Sequence, residues 1–165
     1  MKVDIQQLDN TFSDQLIDLI LTIQQKEFNV PITIDDQPDL KQIESFYRVP
    51  GGNFWGAFID GELVGSIALV KFDEREGAVR KMFVKKEFRG KELNIAQELL
   101  EVLIAFCREN GIDNIYLGTV NVLKAAMRFY ERNDFVQVEK ENLPARFPLM
   151  NADNVFYSLS LNQTL

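Results

Sequence analysis

The sequence predicts an α/β protein organised around one mixed β-sheet. In its second half, segments with the apolar composition of strands alternate with segments that repeat apolar residues at helical spacing. A strand, a helix and a further strand in succession imply a crossover that leaves two strands parallel. In the middle of the chain, three strand-like segments follow one another across short polar turns, which favours an antiparallel meander.

The elements predicted before residue 50 are a strand at 3–8, a helix from 9 or 10 to 26, a loop at 28–36 and a short helix at 38–46. Asp9 or Asn10 supplies the side chain that caps the first helix. Pro31 and its polar neighbours end the helical pattern. Pro38 begins the second helix, where its missing N–H costs nothing.

The meander is predicted from strands at 54–59, 62–72 and 79–84. Asp60 and Gly61 join the first two strands, and this dipeptide is a strong signal for a two-residue hairpin turn. A polar turn at 73–77 leads into the third strand.

The elements predicted after that strand are a helix at 95–110, a strand at 114–119, a helix at 122–132, and closing strands at 135–138 and 154–161. Gly111 is an expected C-terminal stop for the first of these helices. Asn133 and Asp134 end the second one, because both tolerate the left-handed conformation.

With 165 residues, of which 46% are hydrophobic, the chain is most simply one domain, residues 1–165. The net charge of −7 argues against nucleic-acid binding. Neither a membrane-spanning run nor a signal peptide is found, so a cytoplasmic location is the default expectation. Cys107, the single cysteine, lies on the apolar stripe of a predicted helix and is expected in the core.

Histidine is absent from the sequence. This excludes a Ser-His-Asp triad, a Cys-His pair and a histidine general base. With one cysteine and no histidine, a zinc-type site lacks a ligand set, so no metal is expected. Any chemistry must therefore use carboxylate, tyrosine, lysine, hydroxyl, backbone or water.

A basic turn connects the strand at 79–84 to the helix that begins near Ile95. It holds Lys85, Lys86, Arg89 and Lys91 in an otherwise acidic chain. The first N–H groups of a helix have no intrahelical acceptor, and the helix dipole places positive charge there. The stretch therefore suits an anion such as a phosphate or pyrophosphate, although similar turns occur in doubly wound folds without one.

Two motifs resemble those of the GCN5-related N-acetyltransferase (GNAT) superfamily. The turn Arg89-Gly90-Lys91-Glu92-Leu93-Asn94 is similar to the family's Arg/Gln-x-x-Gly-x-Gly/Ala, with Glu92 and Asn94 at the glycine positions. The segment 126–135 is similar to Ala-x-x-Phe-Tyr-x-x-x-Gly-Phe, with Asp134 for glycine. The resemblance implies a central mixed sheet of about seven strands flanked by about four helices.

The resemblance also implies that acetyl-CoA is the cosubstrate. The backbone of the turn would hold the pyrophosphate, the strand edge would pair with the pantetheine amides, and the second helix would contribute further contacts. The residues implied are Met82, Phe83, Val84, Arg89, Gly90, Lys91, Glu92, Leu93, Asn94, Ile95, Asn121, Phe129 and Tyr130. The family has an asparagine at the position of Leu123, and in this chain Asn121 stands two positions earlier.

Tyr130 matches the family tyrosine that protonates the departing thiolate, and its alternative role is core packing. A backbone amide near Phe83 or Val84 would polarise the thioester carbonyl. The general base is less defined. Glu76 is a candidate if the strand extends that far, with a solvated turn residue or a relayed water as the alternatives.

The acceptor pocket is expected from the variable segments around Phe28, Trp55, Arg146 and Phe147, although residues such as Trp55 and Phe147 more often serve in packing. The leading function is N-acetylation of a small-molecule primary amine, and a homodimer is possible. Alternatives are a protein or peptide acetyltransferase and a CoA-binding module without catalysis. A P-loop nucleotide site is excluded because its motif is absent.

Overall fold

A seven-stranded mixed sheet in the order β1-β2-β3-β4-β5-β7-β6 is the frame of the computed structural model, which describes residues 2–161. Among the described pairings, β4 and β5 are parallel and the others are antiparallel. The predicted fold class is thereby confirmed. The elements are β1 Asp4–Gln7, α1 Ser13–Leu21, β2 Asn53–Ile59, β3 Glu62–Asp73, β4 Glu76–Val84, α2 Ile95–Glu109, β5 Asn114–Thr119, α3 Lys124–Arg132, β6 Val136–Val138 and β7 Val155–Ser160.

The chain divides into two compact units. The first comprises residues up to 70 together with 80–105, and the second comprises 71–79 together with the residues from 106 onward. Strands β3 and β4 and helix α2 contribute residues to both units.

The first unit is built around the hairpin of β2 and β3. Its turn has Asp60 at φ 50° and Gly61 at φ 80°, the left-handed pair that a tight hairpin turn needs. Strand β2 is buried throughout, and β3 is buried over residues 63–69. The apolar side chains packed with them include Leu8, Leu16, Leu19, Ile20, Ile23, Leu40 and Ile43. The apolar face of the first helix therefore belongs to the core of this unit.

The helical segments of the first unit are less regular than the sequence predicts. A π-helical turn, Thr22–Glu27, continues α1 to the predicted end of that helix. The prediction of one helix at 38–46 is wrong in detail, because the segment is not continuous. It consists of a 3₁₀ turn, Pro38–Lys41, and a π-helical turn, Glu44–Arg48. Gln42 separates them at φ −134° and ψ 48°, outside the helical region.

A buried polar network lies in the first unit beside β4. The Lys81 ammonium donates to Gln37 Oε1 at 2.6 Å and lies 3.6 Å from the Asp39 carboxylate. The Tyr47 hydroxyl donates to the same carboxylate at 2.6 Å. Gln37 is also held by Gln24, whose Oε1 accepts a hydrogen bond at 2.8 Å. Burial lowers the pKa of Lys81, and the Asp39 charge opposes that shift.

We expect Asp39→Ala to lower the free energy of unfolding by roughly 3 kcal/mol, because the Lys81 ammonium would remain buried without its carboxylate. Urea unfolding at pH 7 measures the change. Asp35→Ala, at an exposed position nearby, is the control and should change stability by less than about 0.5 kcal/mol. Equal losses of unfolding free energy in the two variants would show that Asp39 does not stabilise the buried Lys81 ammonium.

The second unit contains the parallel pair and the end of the sheet. Glu76–Ala78 of β4 pair with Asn114–Tyr116 of β5, and all six residues of β5 pair with β7. Helix α3 ends with Asp134 at φ 70°, as its sequence predicts. Within residues 2–161, no helix combines the length and the apolar character that a membrane crossing requires.

Helix α2 ends where its glycine signal predicts. Gly111 has φ 73°, and the N–H of Ile112 donates to the carbonyl of Cys107 at 2.9 Å, which closes the helix end. Cys107 is fully buried, and burial raises the pKa of its thiol to about 12. The cysteine is therefore a packing residue that stays protonated at neutral pH.

Candidate active site

The basic turn of the first unit has a fixed backbone. After a 3₁₀ turn at Lys86–Phe88, Gly90 takes φ 123°, which only glycine adopts without strain. The N–H of Asn94 donates to the Gly90 carbonyl at 3.1 Å, and α2 begins at the next residue. Asn94 has φ 55°, a left-handed conformation that asparagine tolerates.

The side chains around this turn are mostly exposed, except that of Ile95, which is buried. Ile95 is 2% exposed, and a Cβ added at Gly65 would lie 3.1 Å from it, so the start of α2 packs closely on β3. Lys91, Glu92 and Asn94 are exposed, and Leu93 is partly buried. Because the first N–H groups of a helix have no intrahelical acceptor, backbone donors at this end of α2 are available to an anion.

Arg89 does not point free into solvent. Its Nε donates to the Val84 carbonyl at 2.8 Å, and its guanidinium forms a two-pronged ion pair with Glu27, with Nη2 to Oε1 at 2.7 Å and Nη1 to Oε2. The guanidinium carbon lies 6.0 Å from the centre of the Phe28 ring. The predicted coenzyme residue Arg89 and the predicted acceptor residue Phe28 are therefore in contact. Glu27 was missed, and nothing in the sequence pairs it with a residue 62 positions away.

Strand β4 contains an irregularity just before the predicted pantetheine edge. Lys81 has φ 54°, and its carbonyl accepts a hydrogen bond from Ser66 Oγ at 2.7 Å. A left-handed residue inside a strand is typical of a β-bulge, which re-aims the residues that follow. Met82 and Phe83 are partly buried and Val84 is 9% exposed. The Val84 carbonyl already accepts one hydrogen bond, from Arg89 Nε.

Tyr130 lies in the second unit on α3, in a cluster of aromatic rings. Its ring centre is 5.8 Å from that of Phe129, 5.7 Å from Phe135 and 5.7 Å from Tyr157. Burial, followed by the negative charge of Asp153, raises the pKa of Tyr130 to about 12. The phenol therefore keeps its proton at neutral pH, as a proton donor must.

Asn121 lies in the turn before α3. Its N–H donates to Asn154 Oδ1 at 2.9 Å, and Asn154 Nδ2 lies 3.4 Å from Asn121 Oδ1. The side chain is exposed. The structure thus gives Asn121 a local role that joins the α3 turn to the start of β7, and its contact with a coenzyme stays a prediction.

Glu76 is the first residue of β4, so the strand extends as far as the candidate general base requires. The Tyr116 hydroxyl donates to its carboxylate at 3.0 Å. Burial and this carboxylate raise the pKa of Tyr116 to about 12. Glu76 therefore already has a hydrogen-bond donor, and its role as a base stays a prediction.

The four predicted acceptor residues differ in exposure. Phe28 is 46% exposed, whereas Trp55 on β2 is 3% exposed. Arg146 is largely exposed and lies 3.8 Å from Asp73. Phe147 is 7% exposed, with its ring centre about 6 Å from those of Phe72, Tyr116 and Phe156. Burial of Trp55 and Phe147 fits the packing alternative, whereas Phe28 and Arg146 are open to a ligand.

The sequence matches the acetyltransferase (GNAT) family over residues 17–135. This match covers more than half of the chain, so the chain belongs to the GNAT family. The family is one of acetyltransferases.

Three similar proteins illustrate the relationship. The N-acetylaspartate synthetase of Danio rerio is 36% identical over 102 residues, which are 61% of this chain and 36% of that protein. A GNAT acetyltransferase from Staphylococcus aureus is 41% identical, with a TM-score of 0.91 over 96% of this chain and 99% of that one. A Thermoplasma acidophilum PaiA N-acetyltransferase, solved with coenzyme A, shares the fold at 17% identity and TM-score 0.69, over 97% and 99% of the two chains. The chain spans just over a third of the length of the N-acetylaspartate synthetase that it matches.

We expect Glu27→Gln to lower the free energy of unfolding by about 0.5–1 kcal/mol at pH 7, because Arg89 loses a charged partner at a partly exposed site. The hydrogen bond from Arg89 lowers the pKa of Glu27. This stability is therefore present above the ordinary carboxyl pKa and is lost as the pH falls through the lowered value.

Urea unfolding between pH 7 and pH 3 tests this expectation. The difference between wild type and Glu27→Gln should shrink toward zero in acid. Glu87→Gln removes the same charge from an exposed residue and serves as the control. A difference that grows as the pH falls would contradict the role assigned to the Arg89–Glu27 pair.

Proposed function

We propose that this protein transfers the acetyl group of acetyl-CoA directly to a primary amine of a small molecule. The observation that carries the proposal is the backbone of residues 90–94, where two left-handed residues lead into the N-terminus of α2. The family match and the N-acetylaspartate synthetase relatives support the reaction class. A cytoplasmic location and a homodimer stay predictions.

The turn and the strand before it would hold the cosubstrate. Backbone N–H groups from Gly90 to Ile95 would bind the pyrophosphate, and the exposed Lys91 adds positive charge. Arg89 would act mainly by holding the turn against Glu27 and Val84. Beyond the Lys81 bulge, the backbone of 82–84 would pair with the pantetheine amides.

Acetyl-CoA supplies an activated thioester, and the chain must supply orientation and protons. A backbone amide near Phe83 or Val84 would stabilise negative charge on the carbonyl oxygen. Tyr130 would protonate the departing sulfur. The phenol is protonated at neutral pH, and its pKa is raised further, to about 12.

Replacement of Tyr130 by Phe should lower kcat by about 100-fold, the usual contribution of a general acid, with the Kd for acetyl-CoA changed less than about twofold. Because the pKa of Tyr130 is about 12, its ionisation should not reduce the wild-type rate below about pH 10. Tyr157→Phe removes a phenol from the same aromatic cluster and should retain most activity. A Tyr130→Phe protein with wild-type kcat would leave Tyr130 as a packing residue.

Glu92→Gly should tighten acetyl-CoA binding or leave it unchanged. Glu92 is an exposed anion in the turn, and a like charge near a phosphate is unfavourable by about 1 kcal/mol at 4 Å in water. Isothermal titration calorimetry at low salt measures the effect. Lys91→Ala, which removes a cation from the same turn, should weaken binding. Clear weakening by Glu92→Gly would show that the pyrophosphate is not at this turn.

The proposed function as a whole is tested by calorimetry with acetyl-CoA and by release of free CoA thiol in the presence of an amine panel. Tight binding with no thiol release from small amines or peptides would indicate a CoA-binding module. Release with lysine-containing peptides alone would indicate a protein acetyltransferase. No affinity for CoA or acetyl-CoA at millimolar concentration would overturn the proposal.

A further inference from the structure

Lys81 has an unusual backbone conformation for its residue type. Within residues 2–161, five residues other than glycine have a left-handed φ, and four of them are asparagine or aspartate. Those two residue types tolerate the conformation because their short polar side chains form local hydrogen bonds. The fifth is Lys81, at φ 54°. A lysine gains no such local compensation, so its conformation must depend on partners elsewhere in the fold.

The side chain of Lys81 is held at its charged end. The ammonium donates to Gln37 Oε1 at 2.6 Å and lies 3.6 Å from the Asp39 carboxylate. Gln37 is 1% exposed, and its Nε2 donates to Gln24 Oε1 at 2.8 Å. The Asp39 carboxylate in turn accepts from the Tyr47 hydroxyl at 2.6 Å. Because a displaced ammonium would lose a carboxylate partner in a buried place, this network resists any movement of the side chain.

The backbone that follows is fixed against β3 at alternate residues. Ser66 Oγ donates to the Lys81 carbonyl at 2.7 Å, and the N–H of Lys85 donates to a carbonyl of β3 at 2.8 Å. Between these two contacts, a Cβ built on Gly65 would lie 3.2 Å from the Phe83 carbonyl oxygen. Residues 81, 83 and 85 therefore each turn a backbone group toward β3.

This alternation fixes the direction of the residues in between. Successive residues of a strand direct their backbone N–H and C=O groups to opposite edges. The backbone groups of Met82 and Val84 are therefore directed to the edge of β4 that faces away from β3. Those are the groups that the proposed function pairs with the pantetheine amides. The left-handed residue at 81 stands immediately before them, where an irregularity re-aims the chain.

We propose that Lys81 is a positioning residue for the cosubstrate. Its buried ammonium, held by Gln37 and Asp39, keeps residue 81 left-handed and thereby directs the backbone of 82–84 to the pantetheine chain. This inference rests on the proposed function, and it adds a residue that lies outside both sequence motifs. All the residues that carry it belong to the first unit.

The proposed role differs from direct binding of a phosphate. The Lys81 side chain is 10% exposed, and its ammonium already lies beside the Asp39 carboxylate. It therefore acts through the backbone rather than by its charge. The turn at 90–94 has left-handed residues of its own at Gly90 and Asn94. Binding of the pantetheine chain should thus depend on Lys81, whereas binding of the pyrophosphate should not.

The first experiment separates these two parts of the cosubstrate. Calorimetry measures the Kd of acetyl-CoA and that of adenosine 3′-phosphate 5′-diphosphate, which is CoA without its pantetheine chain. Lys81→Ala should weaken acetyl-CoA binding about tenfold, because alanine disfavours the left-handed conformation and fewer molecules then present the binding backbone. The Kd of the nucleotide should change less than about twofold. Lys41→Ala removes an exposed lysine of the same unit and should alter neither Kd.

Lys81→Gly is the matched rescue variant. It removes the same side chain, but glycine takes the left-handed conformation without strain. Acetyl-CoA should therefore bind to Lys81→Gly at least about threefold more tightly than to Lys81→Ala. A general loss of stability would not give this order, since glycine inside a strand weakens the strand more than alanine does.

Ser66→Ala tests the backbone contact separately from the side-chain network. It removes the hydrogen bond to the Lys81 carbonyl and leaves the ammonium with its partners. The Kd of acetyl-CoA should rise about fivefold, the usual worth of one hydrogen bond, and that of the nucleotide should stay unchanged. Urea unfolding reports whether each variant is folded at the temperature of the titration. If Lys81→Ala is not folded, the effect of Ser66→Ala on the two ligands decides the matter.

Three outcomes would overturn the positioning role. They are unchanged acetyl-CoA affinity in Lys81→Ala, equal weakening of both ligands, and equal acetyl-CoA affinity in Lys81→Gly and Lys81→Ala. Each would leave acetyl-CoA binding by the wild type intact, and with it the proposed function. A wild-type protein that binds neither ligand would instead overturn the proposed function, and this inference would fall with it.

Discussion

The backbone conformation of residues 90–94 is the constraint on which the proposed cosubstrate site depends. Gly90 at φ 123° and Asn94 at φ 55° turn the chain so that α2 begins with buried Ile95 and presents N–H groups at its start. Amides at a helix end attract an anion whatever side chains surround them. This explains how the chain keeps the turn while Glu92 and Asn94 stand where the family motif has small residues.

Local signals predicted much of the fold. The Asp60-Gly61 turn, the Gly111 helix end and the left-handed Asp134 lie where their residue types require them. The break at Gln42 and the bulge at Lys81 were not predictable. Lys81 is held in its left-handed conformation by Asp39, Gln37 and Ser66. These partners come from distant segments, so no pattern along β4 alone contains that information.

In the candidate site, too, local features were predicted and non-local contacts were not. The motifs located the turn and Tyr130, because each is a short continuous segment. The contacts that decide how those residues behave are non-local. Glu27 neutralises Arg89 from 62 positions away. The negative charge of Asp153, in the segment before β7, contributes to the raised pKa of Tyr130. For Trp55 and Phe147 the sequence left both a pocket role and a packing role open, because an aromatic side chain alone does not distinguish them, and both residues are buried.

The proposed cosubstrate turn has no concentrated positive charge. In the first unit, Glu27 balances Arg89, so the cosubstrate turn relies on amides and Lys91 rather than on a concentrated positive patch. A weakly charged phosphate site would release the CoA product more readily than a strongly cationic one.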